Sequence, residues 1–228
     1  MTTVKTVLVI DTAFAAINIG LYSTETGVIA QDLVRTDRGQ AEMLVPKIQA
    51  LLESSGLDYS AIDLIAVTVG PGSFTGLRVG IATARGFGLA LNRPVQGVCT
   101  LDALAKTWRL DHGPADVNVV IDTRRDDVFH VRYSAKQDFI AEDDIVILSA
   151  NEVQQISGNI IGDGVRIIGG TPMHDIPSIT AISLCALDVT GNTSHPQHMK
   201  SEPLYARNAE VSQSKRVGRI PLDPLIVK

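Results

Sequence analysis

Apolar residues in the first hundred positions fall into short blocks that alternate with, or run up to, glycine, proline and charge. The period-2 and continuous blocks predict strands at 5–10, 17–23, 27–35, 62–69 and 95–98. The 62–69 block is nearly uncharged, which fits a central strand covered on both faces. Between the strands the period lengthens to that of a helix, at 40–55 and 74–91. In the first helix Leu44, Ile48, Leu51 and Leu52 make one apolar stripe around Pro46, and Gly56 marks its end. Three strands followed by alternating helix and strand is an α/β order.

The second half begins this pattern again. Val9-Ile10-Asp11-Thr12 recurs as Val120-Ile121-Asp122-Thr123, and Tyr22-Ser23 recurs as Tyr133-Ser134 at the same offset of 111 residues. A repeat in the same strand-turn-strand setting points to an ancient duplication. The chain is therefore expected to hold two related lobes facing each other across a cleft, at 1–105 and 106–228. The second is the more degraded, with a strand near 144–148, a short helix near 151–156, a turn at Gly162-Asp163-Gly164 and a helix over 178–189. Beyond Gly191 the prolines 196, 203, 221 and 224 predict an irregular tail that wraps the surface or returns to the first half.

The junction of strand 62–69 with helix 74–91 is the most informative stretch. Gly70, Pro71 and Gly72 break the strand, and Ser73 or Thr75 caps the helix. Pro71 removes one N–H and no lysine follows as in a P-loop, which weighs against phosphate binding. Within the helix Gly76, Gly80, Ala84 and Gly88 recur every four residues and share one face. Each glycine costs about 0.5–1 kcal/mol relative to alanine inside a helix, so close approach of another backbone outweighs propensity here. The approaching backbone is either the chain's own sheet or a helix of another molecule.

Composition narrows the class. With 228 residues, 45% of them hydrophobic and 20% charged, the chain can bury a substantial core. Its opening, MTTVKTVLVIDT, reads as a strand running into an acidic turn, and no apolar run is long enough to span a membrane; a cytoplasmic protein with no membrane partner is expected. Cys99 and Cys185 stand far apart without a CxxC partner, as reduced core thiols do. A net charge of −5 disfavours binding to a polyanion unaided. His112, His130 and His174 are isolated in sequence, and His195 and His198 sit in the proline-containing tail. Trp108 reads as core edge, and Arg124 and Arg125 as a solvated turn.

Taken together, TVGPGSFTGLRVGIATARGFGLAL, VLVIDT, AEMLVP, IDTRRDDVFHVRY, GDG at 162–164 and EPLYAR at 202–207 resemble the bacterial TsaB (YeaZ) family over nearly the whole chain. The resemblance implies an α/β fold of two actin-like (ribonuclease H-like) lobes, each a mixed sheet flanked by helices. It also implies a subunit without its own catalysis, in the machinery that installs N6-threonylcarbamoyladenosine at position 37 of tRNAs reading codons that begin with A. The implied partners are the catalytic paralogue TsaD, the ATPase TsaE and, when alone, a second copy, with tRNA reached only through the complex. The helices at 40–55 and 74–91 would form the interface, with Leu44, Ile48 and Leu51 on one and Gly76, Gly80, Ala84 and Gly88 on the other. On that reading Gly80→Leu leaves the monomer folded and removes partner binding.

In an active ATPase or kinase of this fold Asp11 and Asp122 would organise magnesium, with Thr12 beside them, while the two turns wrap phosphate. Here the turns read Ala13-Phe14-Ala15-Ala16 and Arg124-Arg125-Asp126-Asp127 and lack glycine, so Asp11, Thr12 and Asp122 are expected to be vestigial, with weak ATP or ADP binding the most they would retain. The catalytic paralogue's HxxxH metal pair is replaced by the region of Gln40, Ala41 and Glu42, which predicts no metal there. Ser73, the nucleophile that a hydrolase reading would need, fits a cap better.

Overall fold

The predicted strands collect into two mixed sheets, and the repeat is visible in how they pair. The computed structural model describes residues 4–136 and 145–191, with Ser201, Glu202 and Leu204. The first sheet contains β1 (Thr6–Asp11), β2 (Ala16–Ser23), β3 (Gly27–Arg35), β4 (Leu64–Gly70) and β5 (Val95–Cys99) in the order β3-β2-β1-β4-β5. The second contains β6 (Val117–Asp122), β7 (Asp127–Tyr133), β8 (Val146–Ser149) and β9 (Asn159–Ile161) in the order β8-β7-β6-β9. In each, the strand ending in the repeated aspartate pairs antiparallel with the next strand and parallel with a later one. The sheets are thus one topology used twice.

Helices α1 (Gln40–Ser54), α2 (Phe74–Leu91) and α3 (Thr100–His112) belong to the first half, and α4 (Ala150–Val153) and α5 (Ile179–Gly191) to the second. Alternate side chains of β1 serve different cores, as a period of two requires. Leu8 and Ile10 pack with Leu44, Ile48, Leu77 and Ile81 of α1 and α2. Val7 and Val9 pack with Ile179, Ile182 and Cys185 of α5. Every residue of β4 is buried, as expected of a central strand.

Beyond the strand expected at 95–98 the chain enters α3, a helix not among the expected elements, whose Leu101, Leu104 and Trp108 form a buried helical stripe. The proposed boundary at 105/106 falls inside that helix. Within 106–228, expected to be a degraded second lobe with a tail, α5 packs on the first sheet and against α3. The tail also returns: Leu204 N donates to Val69 O at 2.8 Å. A buried bond joins the halves, with Tyr133 Oη of β7 donating to Asp102 Oδ1 of α3 at 2.7 Å.

The second half is reduced. Where α1 stands between β3 and β4, the four-residue α4 stands between β8 and β9, started by a capping box of Ser149 and Glu152. Where α2 follows β4, a 3-10 turn over Asp163–Ile168 follows β9. This contraction leaves the two repeated turns in different surroundings.

Candidate functional site

The first turn is closed by its own helices. Asp11 is 2% exposed, and its Oδ1 accepts from Ala13 N at 3.0 Å and Thr68 Oγ1 at 2.7 Å. Burial nevertheless raises its pKa above the usual carboxylate value, outweighing those bonds. Thr12 Oγ1 donates to Gly76 O at 2.7 Å, and Ser73 N donates to Ala13 O at 2.7 Å. From α1, Gln40 Nε2 donates to Phe14 O and Ala16 O at 3.0 and 2.7 Å. The starts of α1 and α2 are thus tied to the turn through Thr12 Oγ1 and the carbonyls of Ala13, Phe14 and Ala16.

These contacts explain the small-residue stripe. A Cβ on Gly76 would stand 2.0 Å from Thr12 O, and one on Gly80 2.4 Å from Thr12 Oγ1. Gly88 meets Val95 in the same way, and Ala84 is fully buried. Leu44 and Ile48 are fully buried and Leu51 nearly so. All seven residues assigned to an intermolecular face therefore pack within the chain, and that assignment is corrected. Gly80→Leu would drive a side chain into the β1 turn, so the expectation of an intact monomer is withdrawn as well.

Opposite the stripe, α2 carries a second one. Ala82, Gly86 and Ala90 also recur every four residues and are not buried, and a Cβ on Gly86 would meet nothing within 4 Å. Phe74 is 54% exposed with the Arg78 guanidinium 3.8 Å above its ring, and Leu89 is 87% exposed. From α1, Ala41 and Val45 are exposed beside them. Ala41, Phe74, Arg78, Val79 and Ala82 line an open, mainly apolar groove of about 440 Å³. This second stripe has the same spacing as the first, which alone was read from sequence, and tertiary packing decides which one faces outward.

The second turn is open. Asp122 Oδ1 accepts from Arg124 N at 2.7 Å, and Arg124 Nη1 lies 3.2 Å from Asp122 Oδ2. Arg124 and Asp126 are exposed and hold φ of 64° and 62°. Beneath them lies Asp163, read from sequence only as the middle of a glycine turn. It is 4% exposed, accepts from Asp122 N at 2.9 Å and lies 3.4 Å from Arg124 Nη2. Its pKa is raised to about 6 because burial outweighs the bond from Asp122 N and the Arg124 charge. Asp11 and Asp122 occupy matching strand ends and each accepts from the backbone N–H two residues on, but their side-chain partners differ: Thr68 for Asp11, Arg124 for Asp122.

Ser73 is the cap of α2, its Oγ accepting from Gly76 N at 3.3 Å. The described histidines are engaged elsewhere. His130 Nε2 meets Asn118 Oδ1 at 3.1 Å, and burial lowers its pKa. His112 and His174, isolated in sequence, are brought together with Asp111, which corrects that reading. His195 and His198 lie outside the described residues. Cys99 and Cys185 are buried and form no disulfide, and burial holds the Cys99 thiol well above its ordinary pKa. Trp108 is 3% exposed. Among the described residues no helix is long and apolar enough to cross a membrane.

Residues 32–161, more than half of the chain, match the family model described as TsaD: tRNA N6-adenosine threonylcarbamoyltransferase. The tRNA threonylcarbamoyladenosine biosynthesis protein TsaB of Escherichia coli is 28% identical over 234 aligned residues, 93% of this chain and 99% of that protein. The chain belongs to the TsaB (YeaZ) family. The uncharacterized protein Rv3421c of Mycobacterium tuberculosis is 40% identical over 131 residues, 57% of this chain, and the match spans only 60% of that relative's length. The solved YeaZ of Pseudomonas aeruginosa superposes with a TM-score of 0.70 at 24% identity, covering 88% of this chain and 99% of that one. That superposition shows the actin-like fold that the TsaB-type motifs imply. In this TsaB-family chain both halves keep the topology, while the helical cover is complete only over the first turn.

Proposed function

We propose that this TsaB-family chain is a subunit without its own catalysis in the machinery that makes N6-threonylcarbamoyladenosine on tRNA. It acts by binding the catalytic paralogue TsaD, with the ATPase TsaE as a further partner and with tRNA reached through the complex. The observation that carries the reading is the outer face of α1 and α2. There Ala82, Gly86 and Ala90 give a flat backbone surface beside the exposed Val45 and Leu89, and no element among the described residues buries it. Small residues let another helix come close, and the exposed apolar side chains reward its burial. Alone, the same face would pair two copies, so homodimer and heterodimer compete for one surface.

The closed first turn supports the same reading. An ATPase or kinase acting through Asp11 and Asp122 would need the first turn open to phosphate, whereas α1 and α2 occupy it through Gln40, Ser73 and Gly76.

Size-exclusion chromatography with light scattering, on the chain alone and mixed with the TsaD paralogue of the same organism, tests the proposal. A stoichiometric complex that Phe74→Glu abolishes is expected. Two unshifted peaks, or a complex indifferent to Phe74→Glu, would refute the assigned face.

A further inference from the structure

We propose that Asp111, His112 and His174 form a binding site for a divalent transition-metal cation, with zinc the ion that suits two imidazoles and one carboxylate. The residues come from the last turn of α3 and from the segment that leads into α5, and one donor atom from each lies within 4.8 Å of the other two. His174 Nε2 is already 3.6 Å from Asp111 Oδ2. Donors bound to a tetrahedral zinc at about 2.0–2.2 Å lie roughly 3.3–3.5 Å apart, so small rotations of the two exposed side chains complete the set. Three protein donors leave a fourth position for water.

Further observations point to a cation here. His112 Nδ1 lies 2.9 Å from Trp108 O. A carbonyl only accepts, so this nitrogen carries the proton and Nε2 keeps its lone pair, the tautomer that a metal-binding imidazole requires. The ring is also stacked on Trp108, with centroids 4.8 Å apart and planes 10° from parallel, and Trp108 is itself fixed in the core. His174 is fixed from its other side: Met173 O accepts from Gly162 N, and Asp175 is bonded by Arg35 and Arg166. Finally, α3 ends at His112, where the carbonyl ends of the helix favour positive charge. A bound ion would fasten α3 to the start of α5, a junction that Ser178 N and Thr107 Oγ1 already make at 2.9 Å.

Isothermal titration of the metal-stripped full chain with zinc chloride tests the site, and the single tryptophan provides a second readout, because copper bound at His112 would quench Trp108. One zinc per chain at micromolar affinity or tighter is expected, and copper should quench the fluorescence at the same stoichiometry. His112→Gln and His174→Gln should each weaken zinc binding by about tenfold or more and remove the quenching. Asp111→Asn, which keeps the side chain's shape, should weaken zinc binding by less than either histidine variant. His195→Gln combined with His198→Gln should change neither signal. No binding to the native chain, affinity unchanged in His174→Gln, or binding lost in the tail variant would each overturn the proposal. Circular dichroism confirms that each variant remains folded.

Discussion

Two turns that begin with the same four residues, Val-Ile-Asp-Thr, end in opposite environments. In the first, Asp11 is buried, its carboxylate bonded by Thr68 and Ala13, and two helix starts close over Thr12 and Ala13. In the second, Asp122 is half-buried, and the turn beyond it projects Arg124 and Asp126 into solvent. The strands beneath are paired alike in both. What differs is the cover, α1 and α2 in one case, and the four-residue α4 and a 3-10 turn in the other. A motif copied within one chain therefore keeps its backbone path while its chemistry follows from what packs above it.

The largest effect should come from opening the first turn. Gly76→Ala places a Cβ against Thr12 O, a backbone atom, and should cost at least about 3 kcal/mol in urea unfolding. Gly86→Ala, on the outward stripe of the same helix, meets open space and should stabilise by about 0.5–1 kcal/mol through helix propensity alone. Equal effects at the two positions would erase the distinction between the two faces.

Next comes the buried acid beneath the second turn. Asp163 has a pKa of about 6 in the folded chain and an ordinary value when unfolded. Well below pH 4, under both values, both states hold the proton and no penalty arises. As pH rises toward 6 the unfolded chain releases its proton first, so stability falls, and the loss reaches up to about 3 kcal/mol above that range. Asp163→Asn should remove this slope, so its urea midpoint should gain on that of the native chain between pH 4 and 6. Parallel profiles would contradict the raised pKa.

Tyr133→Phe tests whether the open turn belongs to a firmly attached half. It removes the donor to Asp102 in the buried junction and should cost about 1–3 kcal/mol. The smallest change should be Asp126→Gly. This exposed residue already holds a positive φ, so its replacement should stay within about 0.5 kcal/mol of the native stability. A large loss there would show the second turn to be as tightly held as the first.

Much of this was legible in the residues. The repeated tetrapeptide located both aspartate-ending strands, and glycine and proline placed the start of α2. The facing of α2 was not legible, because Gly76, Gly80, Ala84 and Gly88 and the opposed Ala82, Gly86 and Ala90 have the same spacing. Only the position of Thr12, more than sixty residues away in sequence, selects the inward set. Asp163 was hidden for the same reason: a glycine turn does not announce which strand end will lie over it. His112 and His174 look solitary until the path from α3 to α5 brings them together. Helix α3 carried a clear apolar period and could have been found by reading past Cys99.

Reconstituted tRNA modification with the catalytic paralogue and its partners tests most directly whether the chain works through its outer face or through its aspartates. If α1 and α2 are the working surface, Phe74→Glu abolishes threonylcarbamoyladenosine formation while Asp11→Asn and Asp122→Asn leave it unchanged. Modification lost with either aspartate variant and retained with Phe74→Glu would contradict the partner-binding role and return the chemistry to the two turns.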